Sequence, residues 1–280
     1  MQEFGYSGHI HAVGLRSGVA HGIPILTSVD CLPDGVDLAV ILTPAATVPD
    51  LMEACGRKGI RRAVIESGGF AEFSEEGRRL EEQVSQAARR WDMRFVGPNC
   101  ISVVNMENGL CLPFPRLDRR AAKRGPVSVL AQSGGVSITY LLMLSEVGLG
   151  VNKVVSIGNK ALIRETELLH YLARDPETRV IAFYVEGFGR NEGRAFVEQA
   201  AAIPKPVVVL KAGKTTEGIR AVSSHTASLA GDYKVFADVL AQHGIAEARN
   251  EFELTCFCES LSHYPRGIEG HVGVITVSGG

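Results

Sequence analysis

Residues 223–231 read Ser-Ser-His-Thr-Ala-Ser-Leu-Ala-Gly, which sets His225 among side chains too small to pack against it. Imidazole is the one side chain that is a neutral nucleophile near neutral pH, and small neighbours leave room for a group bonded to its ring. The plainer alternative is a helix-entry turn in which Ser and Thr cap the helix and His225 only meets solvent. A second feature bears on that choice. Residues 127–135 read VSVLAQSGG and residues 272–280 read VGVITVSGG, two apolar strands that each close in Ser-Gly-Gly. A helix follows the first, so Ser133, Gly134 and Gly135 fall where unpaired N–H groups and the helix dipole favour an anion.

The elements that must position these residues can be read from the hydrophobic pattern. From Gly8 to Gly97 short β-branched runs alternate with amphipathic helices. Strands are expected at His9–Val13, Pro24–Leu26, Asp37–Thr43, Arg62–Ser67 and Met93–Val96, with helices at Val48–Lys58 and Glu75–Trp91. Leu38–Leu42 is apolar on both faces, as in a parallel sheet covered by helices. This is a Rossmann-like half-domain. Such a domain opens with a strand and a Gly-rich phosphate loop, and neither precedes Phe4–Gly8, so the chain is expected to start inside its first domain. Ligands of doubly wound sheets sit at the carboxyl ends of the strands. Three ends here carry informative residues: Thr43–Pro44, then Glu66–Ser67–Gly68–Gly69, then Gly97–Pro98–Asn99–Cys100. Any one is explained as an ordinary strand-to-helix turn; three in register favour a site.

The charged, turn-rich stretch Phe114–Gly125 reads as a linker, and a second α/β unit follows. Its strands are expected at Pro126–Ala131, Val151–Ile157, Arg179–Val185 and Pro206–Leu210. Its helices are expected at Val136–Val147, Glu165–Arg174, Gly189–Ala201, Asp232–His243 and Asn250–His263, with a small polar loop over Lys211–Gly218. The pattern is that of a flavodoxin-type domain of about 140 residues, a usual domain size. The boundaries that follow are 1–118 for the first domain, 119–125 for the linker and 126–266 for the second. Residues 267–280 would be the first strand of a third, truncated domain, because a strand with no following helix is no place for a domain to end.

Composition narrows the function classes. The 280 residues are 45% hydrophobic and 21% charged, enough to bury real cores. A net charge of −2 gives no electrostatic case for nucleic acid or an anionic membrane. No apolar run approaches the length of a membrane span, and the N-terminus lacks the layout of a signal peptide. Cysteines at 31, 55, 100, 111, 256 and 258 lack metal-ligand spacing, and no histidines pair as H-x-x-x-H or HExxH. No metal site is expected, and the free thiols point to a cytoplasmic protein.

Six motifs together resemble a known family: ILTPAA (41–46), GPNC (97–100), AQSGG (131–135), SIGNKA (156–161), VEGFG (185–189) and SSHTASLAG (223–231). They look like the α-subunit region of the nucleoside-diphosphate-forming acyl-CoA synthetases, that is, the ADP-forming acetate–CoA ligases and succinyl-CoA synthetase. The resemblance runs along nearly the whole chain. It implies an α/β protein in which a truncated Rossmann-like CoA-binding domain precedes a flavodoxin-like succinyl-CoA-ligase-type domain.

The same resemblance implies the chemistry of an acid–CoA ligase. Phosphate attacks an acyl-CoA, the acyl-phosphate phosphorylates a histidine, and the histidine loop carries the phosphoryl group to a nucleotide. His225 matches the phosphorylated histidine, and Glu186 the carboxylate that steadies its ring. Ser133, Gly134, Gly135, Gly279 and Gly280 match two facing helix N-termini that cradle the phosphoryl group. Arg16 stands where a basic residue contacts CoA, and Thr43, Pro44, Glu66, Ser67, Gly68 and Asn99 line the CoA side. Ile138, Asn159 and Lys160 face the substrate. The implied ligands are coenzyme A and a small carboxylic acid, with Mg-ATP or ADP bound only through an ATP-grasp domain or subunit, in an oligomer. A phosphorylated imidazole is nearly a dianion and needs donors around it, which the two helix N-termini would supply.

The sequence departs from the family in four places. The Gly-rich first loop is absent, Leu162 stands where Asp is usual, Thr–Ala–Ser follows His225 where Thr–Gly–Ala is usual, and no ATP-grasp region is present. The expected activity is that of a fragment of an acyl-CoA ligase. One alternative is an acyl-CoA-sensing regulatory region of a protein acetyltransferase, for which Leu162 argues and His225 with Glu186 argue against. A nicotinamide-dependent Rossmann enzyme fits least, since no G-x-G-x-x-G follows any strand.

Overall fold

The computed structural model describes residues 1–189, 191–223, 233–265, 267, 270–271, 273 and 275. In the first unit, β1 (Ala12–Val13), β2 (Gly18–Ala20) and β3 (Ile23–Leu26) form a small sheet in the order β1-β3-β2. A second sheet holds β4 (Ala39–Ile41), β5 (Arg62–Ile65) and β6 (Arg94–Val96), all parallel, with α1 (Val48–Arg57) and α2 (Glu75–Arg90) as the crossovers. The sequence explains α2 well. The Ser74 hydroxyl accepts from the Gly77 N–H at 3.0 Å, Glu75 and Glu76 sit in the first turn, and Arg89 and Arg90 in the last. Each complements an end of the helix dipole. Val84, Ala87 and Ala88 form the buried face.

Two short strands then leave the first unit. β7 (Val103–Asn105) and β8 (Leu110–Cys111) form a hairpin, and β7 lies antiparallel against a strand of the second unit. Asn108–Gly109, with Gly109 at φ 74°, makes the turn.

The second unit comprises β9 (Arg124–Ala131), α3 (Gly134–Glu146), β10 (Val151–Ser156), α4 (Glu165–Arg174), β11 (Val180–Val185) and α5 (Glu192–Ala202). It continues with β12 (Val207–Lys211), α6 (Thr216–Ser223), α7 (Tyr233–Gln242), β13 (Ala246–Ala248) and α8 (Glu251–His263). The sheet runs β13-β12-β11-β9-β10-β7-β8, and β9 to β13 are mutually parallel. From β9 the chain steps to β10 on one side, then to β11, β12 and β13 on the other. The winding therefore reverses between β9 and β11, and a crevice opens outside their carboxyl ends. Strands β10, β11 and β12 are buried along almost their whole length, as their two-sided apolar character demands.

One core reaches across the junction of the units: Val64, Val96 and Cys100 pack with Val155 and Ile157. Two details differ from the sequence reading. Residues 103–111, inside the span assigned to the first domain, pair with the second sheet. Lys211, expected in a polar loop, is the last residue of buried β12, and α6 begins within that same stretch. The strand expected within residues 267–280 falls mostly outside the described residues, as do Gly279 and Gly280.

Candidate functional site

The reversal point between β9 and β11 gathers a polar cluster. Ser133 precedes α3, and no side chain caps the helix N-terminus that Gly134 and Gly135 open. Gly134 is dictated by packing, since a Cβ there would lie 2.5 Å from Cγ1 of Ile101; Gly135 faces open space. Glu186 follows β11 directly and is 8% exposed. His225, the expected partner of that carboxylate, lies outside the described residues.

The turn that carries Glu186 is held by side chains. The Gln132 amide oxygen accepts from the N–H groups of Glu186 at 2.7 Å and Gly187 at 3.0 Å. Its amide nitrogen donates to the Gly187 carbonyl at 2.7 Å and to the Glu165 carboxylate. Lys160 donates to Glu165 at 2.9 Å, to the Gly187 carbonyl at 3.1 Å and to Glu192 at 3.1 Å, so its three donors are all engaged. Burial would raise the Glu192 carboxyl, but the Gly189 N–H, Lys160 and Arg164 hold it below the ordinary range. Lys211, at the end of β12, donates to the Glu186 carbonyl at 2.7 Å and to that of Ala212. Beside this clamp a cavity of about 350 Å³ opens between the N-terminal ends of α4 and α5, with Leu162, Arg164 and Phe188 in its walls. Ile138, on α3, is partly buried and packs against a core cluster of the second unit.

A second cluster ties together the strand ends of the first unit. The Thr43 N–H donates to the Ser67 hydroxyl at 3.0 Å, and the Asn99 N–H to the Ser67 carbonyl at 2.9 Å. Pro44 opens the turn after β4. Gly68 lies so near Asn99 that a Cβ would sit 3.3 Å from its side-chain oxygen. Glu66 is buried with Oε1 lacking a hydrogen-bond partner among the described residues; burial pushes its carboxyl up to about 6, against the pull of Ser102. Small and polar, with an orphaned buried oxygen, this rim fits a ligand that offers hydrogen bonds along its length. Cys100 beneath it is no nucleophile, because burial pushes its thiol up to about 12. Arg16 is exposed on the bend between β1 and β2.

Asn159 joins the two clusters. Its N–H donates to the Pro98 carbonyl at 2.9 Å, and its side-chain oxygen accepts from Asn99 at 3.3 Å. Its amide nitrogen donates to Glu72 at 2.6 Å and Glu81 at 2.8 Å. Gln132, Lys211, Glu72 and Glu81 were not singled out by the sequence reading. Lys211 had a usable signal, a lysine closing the apolar run Val-Val-Val-Leu. Among the described residues no group of His, Cys, Asp and Glu is placed to hold a metal ion, and no helix is long and apolar enough to cross a membrane.

Comparison with known proteins places both clusters in context. A CoA binding domain model matches residues 1–106, and a model of the succinyl-CoA ligase like flavodoxin domain matches residues 124–261. The chain is 40% identical over 277 residues to an ADP-forming acetate–CoA ligase of Archaeoglobus fulgidus, matching 98% of this chain and 39% of that protein. It is 37% identical over 284 residues to the α subunit of an ADP-forming acetate–CoA ligase of Pyrococcus furiosus, matching 99% of this chain and 60% of that subunit. A solved structure of the dinucleotide forming acetyl-coenzyme A synthetase 1 of Ca. Korarchaeum cryptofilum, in complex with phosphate and ADP, superposes with a TM-score of 0.86 at 31% identity. It covers 93% of this chain and 56% of that one. The chain thus spans between about two fifths and three fifths of these relatives.

Proposed function

The chain belongs to the nucleoside-diphosphate-forming acyl-CoA ligase family, carrying its CoA-binding and flavodoxin-like domains, and on that premise we propose that it handles CoA and relays a phosphoryl group through His225. The observation that carries the reading is the convergence of Glu186 and the uncapped N-terminus of α3 on the reversal point between β9 and β11. A neutral ring nitrogen of His225 attacks the phosphorus of an acyl-phosphate. The P–N bond forms as the bond from phosphorus to the acyl oxygen breaks, and the carboxylate leaves with the electron pair. The ring gains imidazolium character, which the Glu186 carboxylate offsets through the other ring nitrogen. The N–H groups opening α3 receive the phosphoryl oxygens. In the synthetic direction the same steps run backwards. Coenzyme A lies along Pro44, Ser67 and Asn99, with its thiol end towards the Asn159 junction. The nucleotide is bound by an ATP-grasp domain or subunit with Mg²⁺, in a cytoplasmic oligomer, and the acid is a small carboxylic acid.

The test is phosphate uptake by the chain together with its ATP-grasp partner, using radiolabelled acetyl phosphate as donor. Acid-labile, base-stable label should appear, and His225→Ala should abolish it. Glu186→Gln keeps a hydrogen bond but loses the charge, so labelling should slow by tenfold to a thousandfold, on the order of other electrostatic losses. A His225→Ala protein that still takes up acid-labile phosphate at the wild-type rate would overturn the reading.

A further inference from the structure

We infer that Lys211 is a positioning residue for phosphoryl transfer: its buried ammonium fixes the turn carrying Glu186 and lays a positive charge beside that carboxylate. The inference deepens the phosphohistidine reading and rests on it.

The lysine is unexpected on packing grounds. Strand β12 is otherwise Val207, Val208, Val209 and Leu210, all buried, and Lys211 continues the run at 4% exposure. A buried ammonium costs several kcal/mol unless compensated, and a methionine would fill the same space without that cost. The hydrogen bonds of Lys211 go to two backbone carbonyls, those of Glu186 and Ala212. A neutral donor could serve the same carbonyls, so the charge itself needs another explanation.

That explanation lies on the neighbouring strand. Val185 and Lys211 are register partners, which puts Glu186 and Lys211 side by side at the carboxyl edge of the sheet. Burial pulls the Lys211 ammonium below its ordinary range, the Glu186 carboxylate pushes back, and Lys214 adds a smaller repulsion. Lys214 itself is directed elsewhere, to the carbonyls of Ala248 and Arg249 and to Glu247. Lys211 is thus a cation that faces Glu186 from the neighbouring strand.

The division of labour follows. Gln132 takes both N–H groups of the turn, Lys160 the Gly187 carbonyl, and Lys211 the Glu186 carbonyl. Every backbone polar group of residues 186–187 is thereby fixed by a side chain, and the carboxylate inherits that rigidity. Desolvation favours the neutral form of a buried carboxyl, whereas a nearby cation favours the ionised form. Only the ionised form stabilises a ring that becomes cationic as phosphorus is transferred. Lys211 thus acts through Glu186 and touches no reacting atom.

Acetyl phosphate labelling of the chain with its ATP-grasp partner tests this, with His225→Ala as the control in the same assay. Lys211→Met should slow labelling by about ten- to hundredfold while leaving the melting temperature near wild type. Lys211→Gln, which can still donate to the Glu186 carbonyl, should lose nearly as much, because the charge is gone. In a Glu186→Gln background, Lys211→Met should cost no more than about threefold further, since its route of action is already removed. Wild-type labelling in Lys211→Met, or full additivity with Glu186→Gln, overturns the inference while the His225 control still supports the phosphohistidine reading. If neither Lys211 variant folds, the residue is a folding element and the inference falls. Label surviving in His225→Ala sinks the underlying reading instead.

Discussion

Two carboxylates lie buried at strand ends, and their surroundings treat them differently. Glu186 has a lysine beside it on the next strand, whereas Glu66 has burial as the main influence on its proton and is pushed up to about 6. The sign of the consequence is fixed by linkage. A carboxyl whose folded value is raised lends the fold stability that is complete below its unfolded value and is lost as pH rises through the folded one. Glu66 should therefore weaken the protein between about pH 4.5 and about pH 6, and Glu66→Gln should remove that loss. Thermal melts of the two proteins should nearly coincide at about pH 4.5 and separate by about pH 7.5, the variant melting higher. Equal spacing at both pH values would mean that Glu66 holds its proton no more tightly in the folded protein than in the unfolded chain. Glu66 was legible as a strand-end residue from its place in Glu-Ser-Gly-Gly; its perturbed proton was not, because that depends on what covers it.

At the scale of elements, the sheet order was the most legible feature, since two-sided apolar strands alternating with helices leave few arrangements. The hairpin of β7 and β8 was missed although Asn108–Gly109 is a strong turn signal. Strands of three and two residues leave almost no alternation to read, and only the partner strand β10 reveals them. The end of β12 was misread for a related reason: a lysine looks like the start of a loop until its burial is known. The loop between β10 and α4 is fixed by a tighter requirement. Gly158 adopts φ 57°, and a Cβ there would lie 2.2 Å from the Pro98 carbonyl oxygen and 2.4 Å from that of Asn99. Both obstacles are backbone and cannot swing aside. Gly158→Ala should destabilise the protein by about 2–4 kcal/mol, read as a melting temperature lowered by about 5–10 °C. A melt within about a degree of wild type would show that the loops separate without cost.

Across the whole molecule, one side-chain amide of the second unit sits at the junction beside the shared core. Asn159 gives its side-chain nitrogen to both Glu72 and Glu81 while its own oxygen accepts from Asn99, so a single residue of the second unit bridges three of the first. Glu81 is raised by burial, with Glu72 adding repulsion and Asn159 opposing. The sequence placed Asn159 within a motif but could not show this role, because its partners lie about 80 residues away in sequence, in and before α2. An acceptor-only replacement inverts the junction. Asn159→Asp would put a third carboxylate against Glu72 and Glu81, and the units should then part most readily when all three are ionised. The connecting stretch holds Arg116, Arg119, Arg120 and Lys123, so trypsin reports the separation directly. Cleavage there should be faster in Asn159→Asp than in wild type at about pH 8. The difference should shrink as the pH of parallel digests is lowered, because the raised Glu81 carboxyl takes up a proton more readily than a free one and relieves the repulsion. Asn159→Leu, which removes the hydrogen bonds without adding charge, should open the stretch to a smaller and pH-independent extent. Equal cleavage of wild type and Asn159→Asp at every pH would mean that the shared core of Val64, Val96, Val155 and Ile157 holds the units together without help from the amide.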